Sequence, residues 1–115
     1  MKSQHLFLVS SVKYSIISFT YELRFFVGLE ALNVIDVACG RNHTLFLTDT
    51  GIVYSCGDNK SGQCGTGNTT MVTKATRINY TGPQIIRIGC GAEFSMILDV
   101  KGCLHSFGLP EYGQL

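Results

Sequence analysis

With 115 residues, nine basic against eight acidic side chains and a formal net charge of +1, the chain is sized for one domain. Its basic residues are scattered with no run of them, so nothing marks a broad phosphate-binding surface. Apolar residues make up 45%, yet no stretch approaches the roughly 18 apolar residues that a membrane-spanning helix needs.

Residues 1–21 read differently from the rest. Leu6, Phe7, Leu8 and Val9 hint at a signal peptide, but Ser10, Ser11 and Lys13 interrupt the apolar run and no small-x-small cleavage site follows. The segment is expected to be a non-repeat leader or the product of a mis-set start, and secretion is not expected. From residue 22 the pattern changes. Residues 22–27 form a first expected strand. Val34, Ile35, Asp36, Val37 and Ala38 make a β-branched strand with a charge at its third place. Beyond Gly40, His43–Thr48 is a short, nearly continuous apolar run, which predicts a buried strand rather than a helix. Asp49, Thr50 and Gly51 supply hairpin-turn chemistry. Residues 52–56 are a third strand, Asp58 to Gly62 a further turn, residues 66–71 a polar loop and residues 73–78 a fourth strand.

The same order then begins again 51 positions later, without a gap. Cys39 falls on Cys90, Gly40 on Gly91, Leu47 on Leu98 and Gly51 on Gly102; Ser55 falls on Ser106, Gly57 on Gly108, Gly62 on Gly113 and Gln63 on Gln114. A fixed period near 50 marks an array of supersecondary units. Twelve of the thirteen glycines lie between Gly40 and Gly113, which suits short strands joined by tight turns. Four short antiparallel strands per period predict an all-β fold of propeller blades. The repeat cores lie near residues 34–64 and 85–115.

Candidate chemistry is thin. Of five cysteines, Cys39 and Cys90 are repeat equivalents beside a glycine, Cys56 takes the place of Phe107 and Cys64 that of Leu115. Apolar equivalents predict buried thiols in a reducing compartment. Cys56, Cys64 and His43 could be drawn as zinc ligands but lack a recognised spacing. The sequons at Asn42, Asn68 and Asn79 read as chance matches. The run from Gly62 to Gly67 lacks the Gly-Lys-Ser/Thr of a phosphate loop. His43 with Asp49, or His105 with Glu111, could be drawn as acid–base pairs. His43 is the equivalent of Phe94, which favours packing. Its ring is expected at a strand start, bonded to nearby backbone groups, and its loss is expected to cost about 1–3 kcal/mol.

The ordered pattern resembles the regulator of chromosome condensation repeat. It runs Cys-Gly, two residues, His-Thr (or Phe-Ser), Leu-x-Leu-Thr, Gly, Val-Tyr-Ser-x-Gly, then Asn-x-x-Gly-Gln-x-Gly. The run Ala38 to Leu45, the run Cys90 to Ile97 and the segment Pro110 to Leu115 are similar to its telophase-disk branch. The likeness covers residues 22–115. In the family's phasing residues 53–102 form one complete repeat flanked by two partial ones. Cys39, Gly40, His43, Gly51, Gly57, Gly62, Gln63, Cys90, Gly91, Gly102, Gly108, Gly113 and Gln114 hold structural motif positions. Cys56 and Cys64 depart from the family's usual aromatic and Leu. Each swap loses core volume, on the order of 1–3 kcal/mol if nothing refills it.

What the resemblance implies is a seven-bladed propeller, of which about two blades are present, so the chain reads as a fragment. It implies an interaction module that binds a small GTPase and promotes guanine-nucleotide exchange. It also implies association with chromatin or microtubules, in the nucleus, on chromosomes or at the spindle, and otherwise in the cytoplasm. No cofactor, metal, membrane or small-molecule substrate is expected, and no exchange residue carries over. A structural fragment with no activity of its own, or an enzyme sited in the propeller channel, are the alternatives.

Overall fold

The computed structural model describes residues 32–108. The strand expected over residues 22–27 and the motif residues Gly113 and Gln114 lie outside them. Among the described residues all regular structure is strand. In chain order the strands are β1 Val34–Cys39, β2 His43–Thr48, β3 Val53–Gly57 and β4 Val72–Arg77, then β5 Ile85–Cys90, β6 Phe94–Asp99 and β7 Leu104–Gly108. The first four pair antiparallel in the order β1-β2-β3-β4, and the rest in the order β5-β6-β7. These are a four-stranded blade and three strands of the next, as the doubled pattern predicts.

The repeat holds down to individual bonds. Val34 faces Thr48 as Ile85 faces Asp99, and Cys39 faces Thr44 as Cys90 faces Ser95. The Gly40 amide donates to the His43 carbonyl at 2.8 Å, and Gly91 donates to Phe94 at 2.9 Å. Gly51 and Gly102 close equivalent hairpin turns at positive φ, 81° and 91°, where a side chain would be strained. One detail differs from simple alternation. The ladder shifts register between Val34 and Asp36, and again between Ile85 and Arg87. Ile35 and Ile86 are the extra residues of two β-bulges, each half exposed. The charge at the third place of these strands therefore marks a bulge as well as an exposed position.

Burial explains the residue types. Every residue of β2 is buried, because this strand has neighbours on both edges and packing on both faces. The outer strand β4, Val-Thr-Lys-Ala-Thr-Arg, buries only Val72 and half-buries Ala75. The two faces of a blade are built differently. One face of the first blade presents Val34, Val37, Phe46 and Cys56, with Cys64 and Val72 in the same cluster. The opposite face presents Ala38, Leu45, Leu47 and Val53, and packs on Ile78, Ile85 and Ile97, with Ile88 and Phe107 alongside. Ile85, Ile88, Ile97 and Phe107 are the repeat equivalents of Val34, Val37, Phe46 and Cys56. Each sheet therefore meets the next by one type of face against the other. Burying Leu45 and Leu47 in this seam contributes about 1.5–3 kcal/mol each before entropy is counted.

The volume lost at Cys56 is refilled. The first blade pairs a large Phe46 with a small Cys56, and the second a smaller Ile97 with a large Phe107. In the ladder Thr44 opposes Cys56 and Phe46 opposes Tyr54, so Phe46 and Cys56 are diagonal neighbours on one face.

Candidate functional site

Most motif residues gather at one end of the seam between the blades. Cys39 and Cys90 end β1 and β5, Gly40 and Gly91 lie in the turns that follow, and His43 starts β2 opposite Gly57, which ends β3. Gly62 and Gln63 lie in the β3–β4 loop. A Cβ on Gly108 would meet Gln63 Cα at 2.9 Å and the Glu93 carbonyl at 2.7 Å, so the end of β7 closes the same cluster. Gly51 and Gly102 sit at the opposite end. Gly40 and Gly91 leave room for rings, since a Cβ on either would collide with the His43 or Phe94 ring.

At the centre is a polar relay. His43 is fully buried, and its Nε2 lies 2.8 Å from the Ser95 hydroxyl of the next blade. That hydroxyl donates to the Gln63 carbonyl at 2.7 Å. A carbonyl only accepts, so Ser95 spends its one proton there and must accept from His43. The ring is therefore the neutral Nε2–H tautomer, and its buried Nδ1 has no hydrogen-bond partner. Burial drives the His43 pKa down to about 4, against a weaker upward pull from the Phe94 backbone and the Asp58 carboxylate. The expected backbone groups are reached in two ways, weakly at Phe94 and, by way of Ser95, at the Gln63 carbonyl. A side-chain hydroxyl intervenes and reaches the backbone on the ring's behalf.

The β3–β4 loop is pinned from inside by Asn59, which is fully buried. Its Nδ2 lies 2.9 Å from the Asn68 carbonyl and 3.0 Å from that of Thr70, and its Oδ1 accepts from the Cys64 amide at 2.9 Å. Gln63 Oε1 accepts from the Ser61 amide at 2.9 Å, and Ser55 donates to the Cys64 carbonyl at 2.6 Å. Sequence reasoning passed over Asn59 as ordinary turn chemistry, and gave Ser95 a place in the repeat pattern but no role. The signal for Ser95 was its alignment with Thr44, a second hydroxyl at the same repeat position.

Neither proposed acid–base pair forms among the described residues. His43 and Asp49 lie at opposite ends of β2, and Asp49 accepts from Asn33 at 3.1 Å. His105 pairs instead with Asp99 at 3.1 Å; Glu111 lies outside the described residues. Asp99 Oδ1 also accepts from the Lys101 and Cys103 amides at 2.9 and 3.0 Å, closing the β6–β7 turn. The Cys103 amide first, then His105, hold its carboxyl below the usual range. In the first blade Thr48 Oγ1 closes the equivalent turn with Ile52, so Asp99 has a turn-building role.

The thiols divide by depth. Cys56 and Cys64 are buried, and burial pushes both up to about 12, far from a nucleophilic thiolate. Cys39 and Cys90 are half-buried, not buried as their shared repeat position suggested, because they end their strands at the rim of the sheet. Cys103 is exposed, and none of the five is in a disulfide. A thiol reagent on the native protein is expected to label Cys103 first, Cys39 and Cys90 more slowly, and Cys56 and Cys64 only on unfolding. Mass mapping of the labelled peptides checks this order, and early labelling of Cys56 would refute it. Among the described residues no group of three or more His, Cys, Asp or Glu is placed to hold a metal ion.

A cleft of about 490 Å³ lies between the β3–β4 loop and β7, lined in part by Tyr80, Ile97, His105 and Phe107. Ile97, His105 and Phe107 are equivalents of Phe46, Tyr54 and Cys56, which in the first blade share a core cluster with Cys64, Val72 and Ala75. The exposed rim is tied across the blades. The Arg41 amide donates to the Ala92 carbonyl at 2.9 Å, and the Arg41 and Glu93 side chains pair at 3.4 Å. That exposed pair adds little stability. The backbone bond fixes both turns as one surface.

Comparison with known proteins agrees with this geometry. The regulator of chromosome condensation (RCC1) repeat matches residues 34–63 and again residues 50–98. Human protein RCC2 is 55% identical over 93 residues, which are 80% of this chain and 18% of RCC2. The human RCC1-like G exchanging factor-like protein is 36% identical over 87 residues, 70% of this chain and 18% of that protein. The crystal structure of Prp20p from Saccharomyces cerevisiae superposes with a TM-score of 0.62 at 22% identity, covering 69% of this chain and 21% of that one. The chain thus spans about a fifth of the length of these relatives. Its blades, its 51-residue register and its motif glycines make it a member of the regulator of chromosome condensation repeat family, in the β-propeller fold.

Proposed function

We propose that the chain is part of an interaction propeller that binds a small GTPase, promotes release of its guanine nucleotide, and works in mitosis at chromatin or the spindle. The observation that carries this reading is its 55% identity to RCC2 over 93 residues, close to the whole repeat region. Similarity to a protein named for G exchange supports the GTPase, and yeast Prp20p, studied for its binding to Gsp1p and histones, shares the fold. Exchange of this kind requires a rigid surface that weakens the GTPase's grip on nucleotide and Mg²⁺. The Arg41–Ala92 bond supplies rigidity between two blades at one rim. The test is to time GDP release from a panel of loaded small GTPases with full-length protein. At least one is expected to release GDP ten-fold or more faster, by about 1.4 kcal/mol of barrier. If none is accelerated and none is bound, the proposal fails.

One observation favours a second reading, that these 115 residues have no activity alone. Leu104 is 62% exposed, whereas its equivalent Val53, sealed by the second blade, is 2% exposed. Met96 and Leu98, equivalents of the buried Leu45 and Leu47, are likewise only partly covered. An apolar sheet face left this way drives association. The isolated chain is expected to aggregate or form oligomers in light scattering and to give no exchange. A monodisperse monomer with one cooperative melt would overturn this.

A further inference from the structure

We propose that the His43–Ser95–Gln63 relay is an acid-sensitive latch, which holds the seam between the first two blades closed at neutral pH and releases it as the ring takes up a proton. The latch is an interface device. His43 belongs to β2 of one blade, Ser95 to β6 of the next, and Gln63 to the β3–β4 loop, so one hydroxyl bridges two sheets. All three residues are buried.

The geometry allows only the neutral ring. Nε2 already carries its proton toward Ser95, so a second proton must go to Nδ1. That atom is buried without a hydrogen-bond partner. A buried imidazolium is costly, and the Phe94 backbone near the ring offsets only part of that cost. The charged groups around the ring do not remove this cost. From the β3–β4 loop Asp58 faces it, largely buried. From the β1–β2 turn comes Arg41 and from the β5–β6 turn Glu93, which are exposed and paired with each other. The strand-end residues Cys39 and Cys90 lie opposite Thr44 and Ser95 in the two ladders. Opening the seam would hydrate Nδ1 and let it bind the proton.

The direction follows by linkage. The lowered value, about 4 against the ordinary 6.5, means that the open seam binds a proton at a pH where the closed one does not. The latch is at full strength above about pH 6.5 and weakens as pH falls toward 4. At pH 5 the opening equilibrium is expected to rise roughly thirty-fold relative to pH 7.5. The second blade bears Phe94 at the equivalent position, so its outward seam carries no such latch.

The experiment is amide hydrogen exchange on the full-length protein at pH 7.5 and 5, corrected for intrinsic exchange chemistry. His43→Gln keeps a neutral N–H donor toward Ser95 but cannot titrate. In the wild-type chain, protection in β2, β5 and β6 is expected to fall roughly thirty-fold on acidification, and in His43→Gln to change by less than about three-fold. His43→Phe, which copies Phe94, is the second non-titrating variant should His43→Gln fold poorly. Nitrogen chemical shifts of His43 give an independent reading, with Nδ1 expected to remain unprotonated at pH 5 while the seam is closed. The proposal is overturned if wild-type protection does not change, if the non-titrating variant falls in parallel, or if the ring titrates near 6.5 with the seam still protected.

Discussion

Phe46→Ala is expected to lower unfolding free energy by about 3–5 kcal/mol, read as a fall in the denaturant midpoint of the full-length protein. Phe46 is fully buried, and it fills the space that its small neighbour Cys56 leaves empty. The second blade solves the same packing problem with sizes exchanged, Ile97 beside Phe107. This makes a sharper test possible. Phe46→Ile alone is expected to cost about 1–2 kcal/mol through a cavity, and Cys56→Phe alone about 1–3 kcal/mol through overpacking. Combined, they reproduce the second blade's pair and are expected to fall within about 1 kcal/mol of the unaltered protein, a strong departure from additivity. Costs that simply sum would show that the two side chains do not share one space.

Gly57→Ala is the second large effect. Gly57 ends β3 with φ of 113°, a conformation that L side chains rarely adopt. A Cβ there would strike the Asn42 carbonyl and lie 2.8 Å from His43 Cα. Both obstacles are backbone, so no side chain can swing aside. The expected cost is about 3–5 kcal/mol, backbone strain and steric shift together. It should be accompanied by loss of hydrogen-exchange protection at the start of β2, where His43 pairs with Gly57. Gly62→Ala is the contrast. Its φ is also positive, but a Cβ there meets nothing within 4 Å, so only strain of about 1–2 kcal/mol is expected. Equal losses from the two variants would refute the steric argument.

The strands were legible because the chain states them twice. Alternating residues such as Val34, Val37 and Ala38 are ambiguous alone, and agreement with Ile85, Ile88 and Gly89 removes the ambiguity. The relay was not legible, because repeat alignment compares residues 51 apart whereas His43 bonds to one 52 away, in the neighbouring blade. Equivalence shows which residues play the same part, not which ones touch. The refilling at Cys56 was hidden for a related reason. Phe46 and Cys56 become neighbours only when the β2–β3 ladder is known. The bulges escaped because two successive exposed residues, Ile35 and Asp36, read in sequence like one misplaced side chain. The rim cysteines were misjudged since a shared position fixes the local backbone but not the depth of the strand end.

The unlike faces of each sheet also govern how such a chain can change in length. A blade accepts the next only when the Leu45–Leu47–Val53 type of face meets the Ile85–Ile97 type. Removing or duplicating one whole 51-residue period preserves that match at every junction. Cutting or adding one residue within a strand turns its side chains to the wrong face and spoils two junctions at once. Gain and loss of sequence in this array are therefore quantised. Whole periods are interchangeable units, and smaller changes are tolerated only in exposed turns where no ladder runs and no buried side chain is bonded.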